Sequence, residues 1–305
     1  MATGRRADRR PRRRLWGTGL GRLVPYLLIA PSLLIILAVL VYPLLDGLRA
    51  TTQFWRFGRP VADIGLRNYS DVLSDPAFRD ALWVTLRFVV ISVSLETLLG
   101  IALAVLVARE VPFVRAIRTT LIVPMIITPV VVGIVFRLMY ASDIGLMSSV
   151  SQALGGGQVE VLTTSGKAFM AIVLVDIWEW TPLMFLIVLA GIQSLPLEPF
   201  EAARVDGASQ WRVFVDHTLT MLRPVIAVAV VLRTIDAFTT FDQVFILTRG
   251  GPGTSTQLIS LLSYQTVFKF NLVGYGAAML VFVTLLVIAF AAVGIRVIRR
   301  QVIEA

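Results

Sequence analysis

Residues 23–45 read LVPYLLIAPSLLIILAVLVYPLL, a run of 23 positions without a single charge. A helix needs about 20 apolar residues to cross about 30 Å of hydrocarbon, so this stretch is long enough to span a bilayer. Working outward from it gives six coarse spans, at 23–48, 81–108, 119–140, 167–194, 222–247 and 271–296. Lipid offers no hydrogen-bond partners, so a spanning backbone must satisfy itself in a helix or a closed barrel, and apolar runs of this length select helices. The composition agrees: of 305 residues 57% are hydrophobic and 15% charged, against about a quarter charged in a soluble domain. The sequence therefore predicts an all-α polytopic membrane protein with six transmembrane helices. A soluble enzyme, a coiled coil and a disordered chain are excluded. With no Cys there are no disulfides or thiolate metal sites, and a lone His217 argues against a His-based zinc site or triad.

The net charge of +9 is unevenly placed. Eight arginines crowd residues 1–22, directly before the first span, which reads as a basic tail held against anionic headgroups. So short an arm, without aromatic interleaving, does not suit nucleic acid. The apolar run is too long for a signal peptide and lacks a small-residue cleavage site. If the N-terminus is inside, 17 of the 28 Lys and Arg residues fall on the inner side, eight on the outer side and three within spans. The positive-inside rule then places both termini in the cytoplasm. The expected organisation is a basic cytoplasmic tail at 1–22, a six-helix transmembrane domain at 23–300, and a cytoplasmic C-terminus at 301–305.

The inner loop at 195–223 carries the clearest local signal. Pro199 suits a first helical turn, Glu198 and Glu201 complement its positive end, and Gly207 can stop the helix in a left-handed conformation. A second short helix should follow, with Trp211 and Phe214 at i, i+3. The run Glu201-Ala202-Ala203, Asp206-Gly207-Ala208, Phe214 and Pro224 resembles the EAA loop of binding-protein-dependent ABC importer permeases. Gly65-Leu66-Arg67-Asn68-Tyr69, Asp75-Pro76-Ala77-Phe78 and Leu247-Thr248-Arg249-Gly250-Gly251-Pro252-Gly253 resemble the carbohydrate branch of that family, the MalF/UgpA type.

The resemblance implies the type I ABC importer permease fold and a multi-subunit machine in the cell membrane. Its partners would be a second homologous permease, two cytosolic ATPases, an extracytoplasmic solute-binding protein and membrane lipid. The cargo would be a disaccharide, oligosaccharide or polyol, with a glycerol-phosphate importer as the alternative. The chain has no Gly-x-x-x-x-Gly-Lys-Ser/Thr loop, so ATP and Mg would sit on the ATPases and this subunit would be neither an enzyme nor a cofactor carrier. Glu201, Ala202, Ala203, Asp206, Gly207 and Ala208 would couple to the ATPases: small residues allow close approach, and the two acids offer charge-assisted hydrogen bonds. No metal site is expected.

Charges inside the spans need partners or water. At about 1.5 Å per residue, Glu179 and Arg233 both fall near the midplane. A Glu179–Arg233 bridge and an Arg233–Asp236 pair on one helix face are competing structural readings. Arg87 and Glu96 should pair or snorkel, and Arg137 should snorkel. The functional reading makes Trp178, Glu179, Trp180, Asp236, Phe238, Thr239, Thr240, Phe241 and Gln243 a sugar path, with aromatic faces for C–H patches and polar groups for hydroxyls. In related maltose permeases the residues just before the Leu-Thr-x-Gly-Gly-Pro motif line the sugar site, which points to 236–243. A secondary transporter would want more spans and inverted repeats, and an intramembrane hydrolase would want a paired nucleophile and base.

Overall fold

The computed structural model describes residues 19–108 and 114–303. Residues 1–18 of the expected basic tail, Arg109, and the last two residues of the expected C-terminal segment lie outside them. The chain divides into two units after Ala50. The first holds one apolar helical run: α1 (Gly19–Ile36), a π turn at Leu37–Val41, and α2 (Tyr42–Ala50). Pro43 has no N–H for the Val39 carbonyl, and the missing bond coincides with the widened turn.

The second unit opens on a hairpin that the sequence reading did not foresee. Strands β1 (Gln53–Arg56) and β2 (Arg59–Asp63) pair antiparallel. Their two-residue turn has positive φ at both Phe57 (52°) and Gly58 (72°), which matches the right-handed twist of a hairpin. Helix α3 (Arg67–Ser74) is tied to this hairpin by Asn68, whose amide donates to the carbonyls of Thr51 (2.8 Å) and Gln53 (3.0 Å).

Then come the crossing helices. Helix α4 (Pro76–Ala108) runs 33 residues. Helices α5 (Val114–Ile126) and α6 (Pro129–Met139) together occupy the expected span 119–140, but they meet at 95°. The bend has a local cause. Proline forces the preceding residue out of the helical region, and Thr128 is extended (φ −67°, ψ 141°). After α7 (Leu146–Ala153), α8 (Ser165–Gln193) crosses, and α9 (Glu198–Val205) forms part of the 195–223 loop. The expected separate second helix is not seen: α10 (Gln210–Arg212), a π stretch at Val213–Leu219 and α11 (Thr220–Phe238) form one apolar 29-residue run. The hydroxyls of Thr218 and Thr220 donate to carbonyls five residues back, and proline at 224 has no N–H for the Thr220 carbonyl. The expected span 222–247 is likewise broken, because α11 stops at Phe238 and α12 (Asp242–Leu247) starts afresh. Helix α13 (Ile259–Tyr264), a π turn at Gln265–Lys269 and α14 (Val273–Ile303) complete the chain.

Packing in the second unit falls into three apolar clusters. One joins α3, α4, α13 and α14 through Val72, Phe78, Ile259 and Met279. A middle one surrounds Phe88, Ile172, Val175 and Phe238. A third gathers Ala104, Phe185, Val188 and Leu222 toward the 195–223 loop. Outward positions such as Trp83, Val90, Leu98, Leu232 and Ile288 are also large and apolar, the composition expected of a surface that lipid solvates. In lipid, association rests on close van der Waals packing, which small residues permit. At Gly100 of α4 an added Cβ would sit 2.6 Å from Met184 Cβ and 3.0 Å from the α8 backbone. Gly100→Leu should therefore force α4 and α8 apart and lower the thermal unfolding midpoint of the solubilised protein, by an overpacking cost of about 1–3 kcal/mol. Gly166→Ala, where the added Cβ meets nothing within 4 Å, should leave the midpoint unchanged. Equal midpoints for the two variants would remove the close contact from the fold's support.

Candidate functional site

The interior is organised by one guanidinium. Arg233 of α11 is fully buried and sits among three carboxylates. Its Nε donates to Glu96 Oε2 (2.8 Å) and its Nη2 to Glu96 Oε1 (3.1 Å), a bidentate fork to α4. Nη2 also donates to Asp176 Oδ2 of α8 (2.5 Å), and Nη1 to Asp236 Oδ2 on its own helix (2.9 Å). The second Asp176 oxygen accepts from Gln243 Nε2 of α12 (2.6 Å). The Arg233 guanidinium also lies 5.2 Å from the Trp180 ring centroid. Three helices, α4, α8 and α11, thus meet on one side chain, and α12 joins them through Asp176.

This arrangement decides between the competing pairs. Arg233 bonds Asp236, as the i, i+3 spacing allows, while the Glu179–Arg233 bridge does not form: Glu179 is buried and its Oε2 has no hydrogen-bond partner. Glu96 does not pair with Arg87 but belongs to Arg233. The Arg87 guanidinium instead lies over the Trp83 and Phe169 rings at 5.9 and 5.6 Å. Arg137 Nη1 donates to the Ile246 carbonyl (3.1 Å), linking α6 to α12.

Beside this network lies a cavity of about 230 Å³ at the break between α11 and α12. Six of the residues nominated from sequence line it: Trp180, Asp236, Thr239, Thr240, Phe241 and Gln243. Two others join them, Pro129 from the bend between α5 and α6, and Asp242 from the first turn of α12. Pro129 was missed because 119–140 was read as one span; Asp242 falls within the expected stretch 236–243 without being singled out, and it becomes legible as a helix start only once the break is known. The other three nominees lie elsewhere. Trp178 is on the far side of α8, edge-on to Phe136 at 5.1 Å. Phe238 packs against Phe290 of α14 at 5.6 Å. Glu179 is buried and does not line the cavity. The helix turns 100° per residue, so Asp176, Glu179 and Trp180 share a face that Trp178 cannot.

In the 195–223 loop, α9 begins with proline in its first turn and Glu198 and Glu201 beside it. Its end is a Schellman motif: Gly207 N donates to Arg204 O (3.1 Å) and Ala208 N to Ala203 O (2.9 Å), with Gly207 at φ +76°. Ser209 then caps the next helix, accepting from Arg212 N. Ala203 is buried and Ala208 half-buried, while Glu201, Ala202, Asp206 and Gly207 are exposed.

The network makes opposite demands on its members. Arg233→Met strands two fully buried carboxylates and should cost about 3–5 kcal/mol, read as loss of membrane yield and a lower unfolding midpoint. Asp236, with its side chain 48% exposed, contributes a partly solvated pair, so Asp236→Asn should cost about 1 kcal/mol or less. Equal destabilisation by both would contradict this division of roles.

Residues 96–303 match the family of binding-protein-dependent transport system inner membrane components. The chain is 37% identical over 279 residues to the trehalose/maltose transport system permease protein MalF of Thermococcus litoralis, covering 89% of this chain and 92% of that one. It is 34% identical over 273 residues to the trehalose transport system permease protein SugA of Mycobacterium tuberculosis, covering 88% and 87%. Among solved structures it shares its fold with a chain of a bacterial alginate ABC transporter in complex with an alginate pentasaccharide-bound periplasmic protein. The TM-score there is 0.82 over 94% of this chain and 98% of that one, at 22% identity. The chain therefore belongs to the binding-protein-dependent transport system inner membrane component family, as a multi-pass ABC permease subunit with the type I importer fold, a membrane transport component and not itself an enzyme.

Proposed function

We propose that this subunit forms one half of a sugar pathway and that the cavity at the α11–α12 break is its share of the binding surface. The observation that carries the reading is the convergence of Trp180, Asp236, Thr239, Thr240 and Gln243 on one cavity. An aromatic face beside carboxylate, hydroxyl and amide groups is the equipment a sugar needs. Its size also suits a half-site. About 230 Å³ is below the roughly 300–1,000 Å³ of small-molecule pockets, so a second, homologous permease would supply the opposite wall. Two of the relatives' names, the trehalose/maltose and trehalose permeases, support a disaccharide.

Energy would come from two cytosolic ATPases, which would hold the ATP and Mg, and cargo from an extracytoplasmic solute-binding protein. The inner loop supports the coupling role because its exposed surface combines small residues and acids with bare apolar ones: Val205 is 88% and Trp211 72% exposed. Apolar side chains at a loop tip call for a partner surface. Docked there, α9 would act as a lever on the run that continues into α11, to which it is joined by the four residues 206–209, ending in the helix cap Ser209. ATP-driven closure would then favour one of two access states through differential contacts. Positive charge at the inner-loop end supports cytoplasmic termini.

The test is reconstitution of the complex with its second permease, ATPases and binding protein in liposomes, with uptake of radiolabelled trehalose and maltose. Gly207→Leu sharpens it. Within this chain an added Cβ at 207 meets nothing within 4 Å, so the only internal penalty is the left-handed backbone, about 1–2 kcal/mol. Insertion should survive, while uptake and binding-protein-stimulated ATP hydrolysis should fall at least tenfold. Wild-type coupling in that variant would remove the loop from the coupling role.

A further inference from the structure

The cavity beside Arg233 is unbalanced in both charge and hydrogen-bond capacity. No Lys or Arg lines it, whereas two carboxylates, Asp236 and Asp242, open onto it. The nearby cation cannot compensate. Arg233 is fully buried, and four hydrogen bonds commit it to Glu96, Asp176 and Asp236. An arginine carries five N–H groups, so little of it is left to offer a ligand. The region as a whole holds Glu96, Asp176, Glu179, Asp236 and Asp242 around that single guanidinium.

The hydrogen-bonding groups lean the same way. Gln243 turns its amide N–H to Asp176, because a carboxylate can only accept. Its Oε1 is therefore the free end, buried and without a partner. Asp236 uses Oδ2 on Arg233, which leaves Oδ1 for the cavity. Thr239 already donates its hydroxyl to the Asp236 carbonyl. The acceptors on Asp236, Asp242 and Gln243 thus outnumber the donors left to the wall, the Thr240 hydroxyl and the Trp180 N–H, and a buried acceptor left without a donor is unfavourable. A bound metal ion is not the remedy, since no group of three or more His, Cys, Asp or Glu placed to hold one occurs among the described residues.

We propose that this cavity takes a polyhydroxy ligand without acidic groups, neutral or amine-bearing, and turns away anionic sugars such as phosphate esters, sulfonates and uronates. Sugar hydroxyls donate to Asp236, Asp242 and Gln243, while the Trp180 ring takes a C–H face. Arg233 is a positioning residue: it holds Asp236 at the cavity edge and does not meet the ligand. The inference rests on the pathway reading above and narrows it to a charge class.

The local potential can be measured without knowing the cargo. The chain has no cysteine, so Thr239→Cys places one thiol in this subunit, at an exposed cavity residue. The complex assembled with its partner subunits is treated with two methanethiosulfonates of similar size, one bearing trimethylammonium and one bearing sulfonate. Modification is followed by the mass of this chain, and rates are normalised to a free thiol. The cationic reagent should react at least tenfold faster, and the preference should fall below threefold when Asp236→Asn and Asp242→Asn are added. Equal rates, or a faster anionic reagent, would overturn the charge assignment while leaving the pathway reading intact. If neither reagent modifies the thiol, in nucleotide-free or in vanadate-trapped complex, residue 239 does not face a water-filled path. The pathway reading then fails, and this inference with it.

Discussion

One side chain sets the terms for the rest of the molecule. Burying a guanidinium is costly anywhere, and in a lipid-facing bundle water cannot relieve it, so its partners must be complete. Glu96, Asp176 and Asp236 bring α4, α8 and α11 to the same point, and Gln243 attaches α12 through Asp176. Apolar packing alone would let these helices slide, because lipid tails and leucine side chains are nearly equivalent neighbours. A forked, directional contact fixes their depth and rotation. The same commitment leaves the neighbouring cavity short of positive charge.

The two chain breaks follow from this frame. Irregular backbone at membrane depth is tolerated where it lines a cavity or is enclosed by protein. Thr128 and Pro129 make one break, and Thr239, Thr240 and Phe241 the other. Pro129, Thr239, Thr240 and Phe241 all line the same cavity. The freed Thr240 carbonyl accepts from Ser260 Oγ (2.5 Å), so the interruption is partly satisfied by a neighbouring segment. Broken helices at a binding site recur in transporters for the same reason. Helices α6 and α12, which both contribute to that lining, pack closely: an added Cβ at Gly133 would stand 3.0 Å from Ile246 Cβ.

The sequence made some features legible and hid others for physical reasons. Apolar length announces a spanning helix directly, so α4, α8 and α14 stand close to where composition places them. The Schellman end of α9 was also readable, since few residues besides glycine accept φ near +76°. The breaks were less so: Pro129 can be read as a kink but not as a 95° bend, and Thr239-Thr240 sit within a hydropathy window that averages them away. Partner choice in the interior was half legible. Asp236 lies three residues from Arg233 on one helix, whereas Glu96 lies 137 residues away, and no spacing rule reaches that far. Trp178 and Trp180 look equivalent in a composition argument, yet helical rotation sends one to Phe136 and the other to the guanidinium.

The most direct measurement is a comparison of thermal unfolding between Arg233→Met and the triple variant Glu96→Gln, Asp176→Asn, Arg233→Met. If the carboxylates exist in the interior because the guanidinium holds them, neutralising all three should restore most of the midpoint that the single variant loses, since no uncompensated charge remains. A triple variant as unstable as Arg233→Met alone would contradict the central role of the Arg233 interaction.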